Sequence, residues 1–330
     1  MSATRLGQPL SIDGLDVANR AFLAPMSGIT DAPFRRLASR FGAGLVFSEM
    51  VASEALVGGN AEMALKAQSA GLAVHAVQLA GREARWMALA AKLAEANGAH
   101  LIDINMGCPA RRVTGGECGS ALMRDLDHAG RLIEATVAAV RIPVTLKMRL
   151  GWDEHSINAP QLAARAETLG VRMITVHGRT RNQFYKGRAD WAAVAAVRAA
   201  TRLPLVVNGD IDGAGSAAAA LSQSGADAIM VGRAACGAPW LPGRLGGDAR
   251  AAETAQGTAL ADLVSEHLEA MLLHHGAVAG LRQARKHLAR YADKWARAAP
   301  ARLAMLTADA PAAAFEAIAE CFRDTVAEAA

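Results

Sequence analysis

Apolar residues fall into eight short, nearly unbroken runs, at residues 21–25, 44–50, 73–81, 101–109, 144–150, 173–180, 203–211 and 228–234. Runs of this length with little polar alternation predict strands buried on both faces of a parallel sheet. Between nearly all of them the spacing turns helical, over residues 32–41, 82–97, 126–140, 159–169, 191–200 and 215–224. Gly98, Gly170 and Gly225 stand just before the next strand, where a helix C-cap favours glycine. Eight strand–helix units in succession predict an α/β fold, a (β/α)8 TIM barrel. An open doubly wound sheet shares the alternation, since periodicity does not show closure. Ahead of the first run, residues 9–17 read as a hairpin about Asp13-Gly14, placed to plug the bottom of a barrel.

The pattern changes after Trp240. Residues 242–257 carry several glycines and little apolar periodicity, which predicts a linker. From Thr258 the spacing is helical, with breaks at Gly276, Pro300 and Pro311. The expectation is a barrel domain over 1–243 and a smaller all-helical domain over 244–330.

Bulk properties narrow the picture only a little. A chain of 330 residues with a formal charge of +4 can bury a full core, and it permits a nucleic-acid partner without requiring one. No charged leader precedes an apolar segment, and no apolar run reaches the roughly 18–20 residues of a membrane span. The cytoplasm is the default expectation, with no membrane association. The cysteines, Cys108, Cys118, Cys236 and Cys321, have no CxxC spacing and belong to no His/Cys cluster of zinc or iron–sulfur type, so no metal is expected.

Polar residues collect where a barrel places its chemistry, at the C-terminal ends of the strands. They are Gln78, Asn105, Cys108, Lys147, Arg149, His177, Arg179, Asn208, Asp210 and Arg233. Lys147 lies inside an apolar run, and a buried lysine needs an anion or loses its charge. That anion is either a cofactor, such as a reduced flavin, or a core carboxylate. Asn208-Gly209-Asp210 and Gly232-Arg233 follow the last two strands, where barrels often hold phosphate, although both are also common turn sequences. Cys108 precedes Pro109 and a loop with three glycines, so it reads either as an accessible general acid or as a small core residue. The other cysteines read as core, with Cys118 less certain because it shares the loop.

In the helical part, Leu281, Ala284, Leu288, Tyr291 and Trp295 make an apolar face. Beside it Arg282, Lys286, Arg290, Lys294 and Arg297 make a basic stripe. Seven Lys/Arg fall between Arg282 and Arg302, with Asp293 the single acid among them. A stripe of one sign fits a phosphate backbone better than a solvated helix face, which mixes signs.

At this point the residues resemble a known family. Ala24-Pro25-Met26-Ser27-Gly28-Ile29-Thr30-Asp31, Ser48-Glu49-Met50, Gln78-Leu79-Ala80-Gly81 and Asp103-Ile104-Asn105-Met106-Gly107-Cys108-Pro109 are similar to the tRNA-dihydrouridine synthases. So are Lys147-Met148-Arg149-Leu150-Gly151-Trp152, His177-Gly178-Arg179-Thr180-Arg181, Asn208-Gly209-Asp210-Ile211 and Gly232-Arg233-Ala234-Ala235. Ala284-Arg285-Lys286-His287 resembles the bacterial B-type (NifR3-like) branch. The resemblance implies an FMN-dependent oxidoreductase that reduces the C5–C6 bond of a D-loop uridine in tRNA, with NADPH or NADH as reductant. It implies FMN contacts from Ala24, Pro25, Met26, Gln78, Lys147, His177, Asn208, Gly209, Asp210, Gly232 and Arg233, with Cys108 as proton donor. Asn105, Arg149 and Arg179, with Arg282, Arg285, Lys286 and Arg290 of the helical domain, fall to substrate or RNA. No protein partner is implied, so a monomer is expected. The branch implies position 17 of tRNA, although no residue reads as a position code. The competing readings are a flavin barrel acting on a free pyrimidine, like dihydroorotate dehydrogenase, and an RNA-binding module with a relic barrel.

Overall fold

The computed structural model describes residues 5–248, 260–295 and 299–323. Strands β1 (Leu10–Ile12) and β2 (Leu15–Val17) form the predicted hairpin, with Asp13 and Gly14 both at positive φ in its two-residue turn. The eight barrel strands are β3 (Ala21–Leu23), β4 (Leu45–Ala52), β5 (Ala76–Ala80), β6 (Leu101–Met106), β7 (Val144–Arg149), β8 (Met173–His177), β9 (Leu205–Asn208) and β10 (Ala228–Val231). All pair in parallel in chain order, and β10 closes on β3. The fold is therefore a TIM barrel, and the open sheet is excluded.

Alternation along each strand sorts the side chains into two cores. Ile102, Ile104, Leu146, Met148, Ile174, Val176, Leu205 and Val207 point outward and pack on the helix ring. Phe22, Leu45, Phe47, Ala76, Leu101, Met173, Val206, Ala228 and Met230 point inward and fill the lower barrel. Leu10, Ile12 and Val17 of the hairpin join that inner cluster and close the floor. Higher up, the inward positions turn polar. Leu101 gives way to Asp103 and Asn105, Met173 to Thr175 and His177, Val206 to Asn208, and Ala76 to Gln78. This change from apolar floor to polar rim is what positions the site.

The six predicted helices are present within a few residues, from Ala32–Arg40 to Ala214–Ser224. Ser53–Val57 and Ala61–Ala67 form two further helices between β4 and β5. The segment predicted as a linker begins instead as structure, because Leu241–Leu245 is helical and buries Leu241 and Leu245 in the barrel's outer core. The expected domain boundary after residue 243 falls inside this helix, and residues 249–259 lie outside the described ones.

Helices Leu260–His275, Ala277–Trp295, Ala299–Thr307 and Pro311–Cys321 follow, with Gly276 at φ +79° between the first two. They pack on the barrel rather than standing clear of it. Leu263, Leu281, Leu288 and Tyr291 belong to the same core cluster as the outer barrel residues. Trp240 of the barrel and Trp295 lie 5.8 Å apart, and Trp295 Nε1 donates to Gly237 O at 2.8 Å. Arg40 pairs with Glu266 at 2.5 Å across the same junction. No helix among the described residues is long and apolar enough to cross a membrane.

Candidate active site at the barrel mouth

Parallel register assembles the rim. Gln78 lies opposite Asp103, Asn105 opposite Lys147, Arg149 opposite His177, and His177 opposite Asn208. Asp103 accepts from Gln78 Nε2 and from Thr145 Oγ1, both at 2.7 Å. Gln78 Oε1 accepts in turn from Asn105 Nδ2 at 2.8 Å. The chain ends at the turn after β6, where Asn105 Oδ1 accepts from Gly107 N at 3.2 Å and Cys108 N at 3.0 Å. Cys108 is thus held by a side-chain-capped turn, partly exposed, at the strand end. The following loop folds back on it, since Ser120 donates from both N and Oγ to Cys108 O. Cys236 and Cys321 are buried as predicted; Cys118 is half-buried in the loop, and burial pushes its thiol up.

Lys147 points into the barrel at 9% exposure. Among the described contacts its ammonium makes one hydrogen bond, to Asn208 Oδ1 at 3.1 Å. Burial lowers its pKa to about 8, helped by Arg149, while Asp103 and Cys108 act in the opposite sense. Asp103 is the core carboxylate of the alternative reading, but Gln78 and Thr145 occupy its oxygens and Asn105 occupies Gln78. Burial drives the Asp103 carboxyl up to about 6. Lys147 therefore presents donor capacity toward the mouth.

His177 is held well below its ordinary pKa, first by burial and then by Arg149, Lys147, Arg179 and Arg233. Its Nε2 lies 3.2 Å from Arg179 Nη1, and a guanidinium only donates, so Nε2 accepts and Nδ1 carries the proton. Gly209, at φ +113°, lets the backbone pass this ring, because a Cβ there would sit 2.8 Å from His177 Cδ2. Asp210 accepts from Arg179 Nη2 at 2.5 Å, Ala189 N at 2.8 Å and Arg233 Nη2 at 3.3 Å. Burial pushes Asp210 up, and these donors bring it below the usual carboxylate range. Arg233 is 60% exposed beside Gly232, where an added Cβ would meet only Ala24 Cβ, at 4.0 Å. The β9 and β10 loops thus leave an open, cationic corner. Ala24 continues the barrel by donating to Val231 O at 2.8 Å, and Met26 N donates to Thr30 Oγ1 at 2.9 Å.

Two residues expected at the RNA are buried and hydrogen-bonded within the protein. Arg149, 1% exposed, donates to Gly107 O, Thr180 O and Phe184 O at 2.8–2.9 Å. Arg179, also 1% exposed, donates to Lys186 O and Gly187 O besides Asp210. Both guanidiniums face inward as struts: Arg149 ties the loop after β8 to the Cys108 turn, and Arg179 ties that loop to Asp210 after β9. Nothing in their sequence spacing separates a strut from an RNA contact. That loop exposes Phe184 and Tyr185, with the Tyr185 ring 6.5 Å from His177 and the Arg149 and Arg233 guanidiniums 5.5 and 5.1 Å from it. The adjacent aromatic pair, in a chain with 2 Tyr and 7 Phe, was the available signal for this platform. Glu49 was also missed; it accepts from Gly28 N at 2.6 Å and fixes the loop after β3.

On the helical block, Arg282, Lys286 and Arg290 are exposed along one helix. Lys286 Nζ reaches the mouth, at 3.3 Å from Gly28 O. Arg285 turns away and donates to Ala308 O at 2.9 Å. Asp293 is shared by Arg302 and Arg290, at 2.5 and 3.6 Å, and Arg297 lies outside the described residues.

Residues 22–327 match the family model "Dihydrouridine synthase (Dus)". The chain belongs to the dihydrouridine synthase family. Among relatives, a probable tRNA-dihydrouridine synthase of Rhodobacter capsulatus is 56% identical over 322 residues, covering 96% of this chain and 98% of that protein. One of Rhizobium leguminosarum bv. phaseoli is 58% identical over 282 residues, covering 86% and 88%. tRNA-dihydrouridine synthase B of Xanthomonas axonopodis pv. citri is 43% identical over 306 residues, covering 92% of each chain. Among solved structures, morphinone reductase superposes with TM-score 0.53 at 16% identity, over 73% of this chain and 90% of that one, a likeness of fold. Membership makes this dihydrouridine synthase an oxidoreductase acting on CH–CH bonds.

Proposed function

We propose that the protein reduces the C5–C6 bond of a D-loop uridine in tRNA, with FMN as bound cofactor and NADPH or NADH as electron source. The observation that carries this reading is the pairing of two features in one mouth. A turn-held Cys108 shares the rim with Lys147, a buried cation hydrogen-bonded to Asn208.

The residues present fit a flavin mononucleotide. Lys147 offers an ammonium to an anionic ring edge, and Gln78 and Asn208 supply amides beside it. Gly232 leaves room where a side chain would intrude, and exposed Arg233 offers a guanidinium to a phosphate. The Asp210 carboxylate is committed to Arg179 and Arg233, so its part in that corner is to orient Arg233. Bound FMN would supply hydride to uracil C6.

The chain's own groups do the rest. A uridine must leave its stacked loop to reach the mouth, and Tyr185 presents an exposed ring face there. The Cys108 thiol donates a proton to C5. Lys147 and the Nδ1–H of neutral His177 supply donors for carbonyl oxygen on which charge develops. Arg149 and Arg179 are positioning residues that keep the Cys108 turn and the Tyr185 loop in register. The helical block over 260–323 docks the RNA through Arg282, Lys286 and Arg290. The protein is proposed to act as a monomer in the cytoplasm.

The test is to incubate tRNA lacking dihydrouridine with the purified, yellow protein and NADPH, then map the modified position. Conversion of one D-loop uridine, with free uridine and orotate left unreacted, is expected. Turnover of a free pyrimidine at a rate matching tRNA would overturn the assignment.

A further inference from the structure

We propose that Asp31, His267 and His287 form a site for one divalent transition-metal ion, with zinc the best match, which fastens the helical block to the barrel. The ligands come from three elements that are distant in sequence. Asp31 is the N-cap of the first barrel helix, Ala32–Arg40. His267 lies on Leu260–His275 and His287 on Ala277–Trp295. One ligand atom from each falls within 4.8 Å of the other two. The residues are 5%, 2% and 1% exposed. Two imidazoles and a carboxylate are a donor set that suits zinc and its first-row neighbours.

A second observation points to a ligand. Among the described residues, neither ring nitrogen of His287, nor Nε2 of His267, has a hydrogen-bond partner. Leaving such groups unmatched in an apolar junction is costly, and the Phe34 ring packs 5.7 Å from His267 and 5.1 Å from His287. A cation in their midst would take up the free lone pairs at once.

The surroundings are those of ligating groups. The hydroxyl of Tyr291 lies 3.2 Å from His267 Nδ1, so Nδ1–H can donate outward and leave Nε2 as the acceptor. Asp31 is oriented by Phe34 N at 3.0 Å and His275 Nε2 at 3.0 Å. Zinc–nitrogen bonds of about 2.0–2.1 Å need ligand atoms roughly 3.3 Å apart, so separations of up to 4.8 Å would close by up to about 1.5 Å on binding. The fourth position falls to His275 or to water.

The sequence expectation of no metal rested on local spacing, and ligands at 31, 267 and 287 have none. Ala284-Arg285-Lys286-His287 contains a histidine that the proposed chemistry at the mouth leaves unused. A metal at this junction gives that buried histidine a role.

The experiment uses full-length protein purified without a polyhistidine tag. One zinc per chain is expected by elemental analysis, and stripping with EDTA should lower Tm by about 5 °C, restored by added zinc. His287→Gln should bind zinc on the order of 100-fold more weakly or worse, and its Tm should ignore EDTA. Stripped wild type that takes up no zinc, or zinc binding unchanged in His287→Gln, overturns the proposal. Should that variant not fold, X-ray absorption of the zinc-loaded wild type decides. Two imidazoles with oxygen support the site, whereas sulfur or an all-water shell refutes it. A cluster satisfied by buried water alone would appear as the metal-free result.

Discussion

Replacing Cys108 by Ala deletes a thiol and leaves the Asn105-capped turn intact, because that turn is built on the backbone N–H groups of Gly107 and Cys108. The variant should stay yellow and be reduced by NADPH at the wild-type rate, while dihydrouridine formation falls about 10²–10⁴-fold; single-turnover assays on tRNA read both steps. Lys147→Met removes a desolvated cation of similar length, so the apoprotein should hold its Tm while the flavin's reduction potential moves negative. Asp103 gives a pH signature. Its folded pKa, raised to about 6 from 3.8, means that the native state holds the proton more tightly than the unfolded chain. That stability is present below about pH 4 and is lost as pH rises through 6, on the order of 3 kcal/mol. Asp103→Asn can still accept from Gln78 and donate to Thr145, so its Tm should be flat over that interval where the wild type's falls. At this scale the sequence placed Cys108, Lys147 and His177 at the strand ends on the barrel rule alone. It did not separate Arg149 and Arg179 from RNA-facing arginines. Their role is decided by carbonyls at 180, 184, 186 and 187, brought under them by a loop of irregular path.

Elements were legible in proportion to their regularity. The eight strands announced themselves because burial on both faces leaves no polar interruption, and their polar ends marked the rim. Ser53–Val57, Ala61–Ala67 and Leu241–Leu245 were missed because helices of five to seven residues complete too few turns to show a period. The junction between barrel and helical block was invisible for a different reason, as it depends on close approach rather than on pattern. Gly237 illustrates this. At φ +73° it passes under helix Ala277–Trp295, and a Cβ there would lie 2.5 Å from Arg290 O. Gly237→Ala must push that helix outward and loosen the Trp295 Nε1 bond to Gly237 O. We expect a loss of about 1–3 kcal/mol in chemical denaturation and weaker tRNA binding, with flavin content unchanged.

For the whole molecule, the exposed Arg282 and Arg290 flank Lys286, one turn to either side on the same helix. Changing Arg282 and Arg290 together to Ala should weaken tRNA binding for all sequences alike. The slope of log K against log salt should drop by about 0.7–1 per cation removed, which titrations at several salt concentrations would read. Catalytic turnover at saturating tRNA should be spared. Lys286 itself is held between Gln283 and Gly28 O, at 2.8 and 3.3 Å, so the stripe touches the loop after the first barrel strand at its middle. Because barrel and helical block share one core cluster, the span from that stripe to Cys108 has little freedom to stretch. The molecule then works as a calliper. On the docking proposed above, one jaw grips phosphates, the other ends in a thiol, and the nucleotide to be modified is the one lying at that fixed separation along the folded RNA.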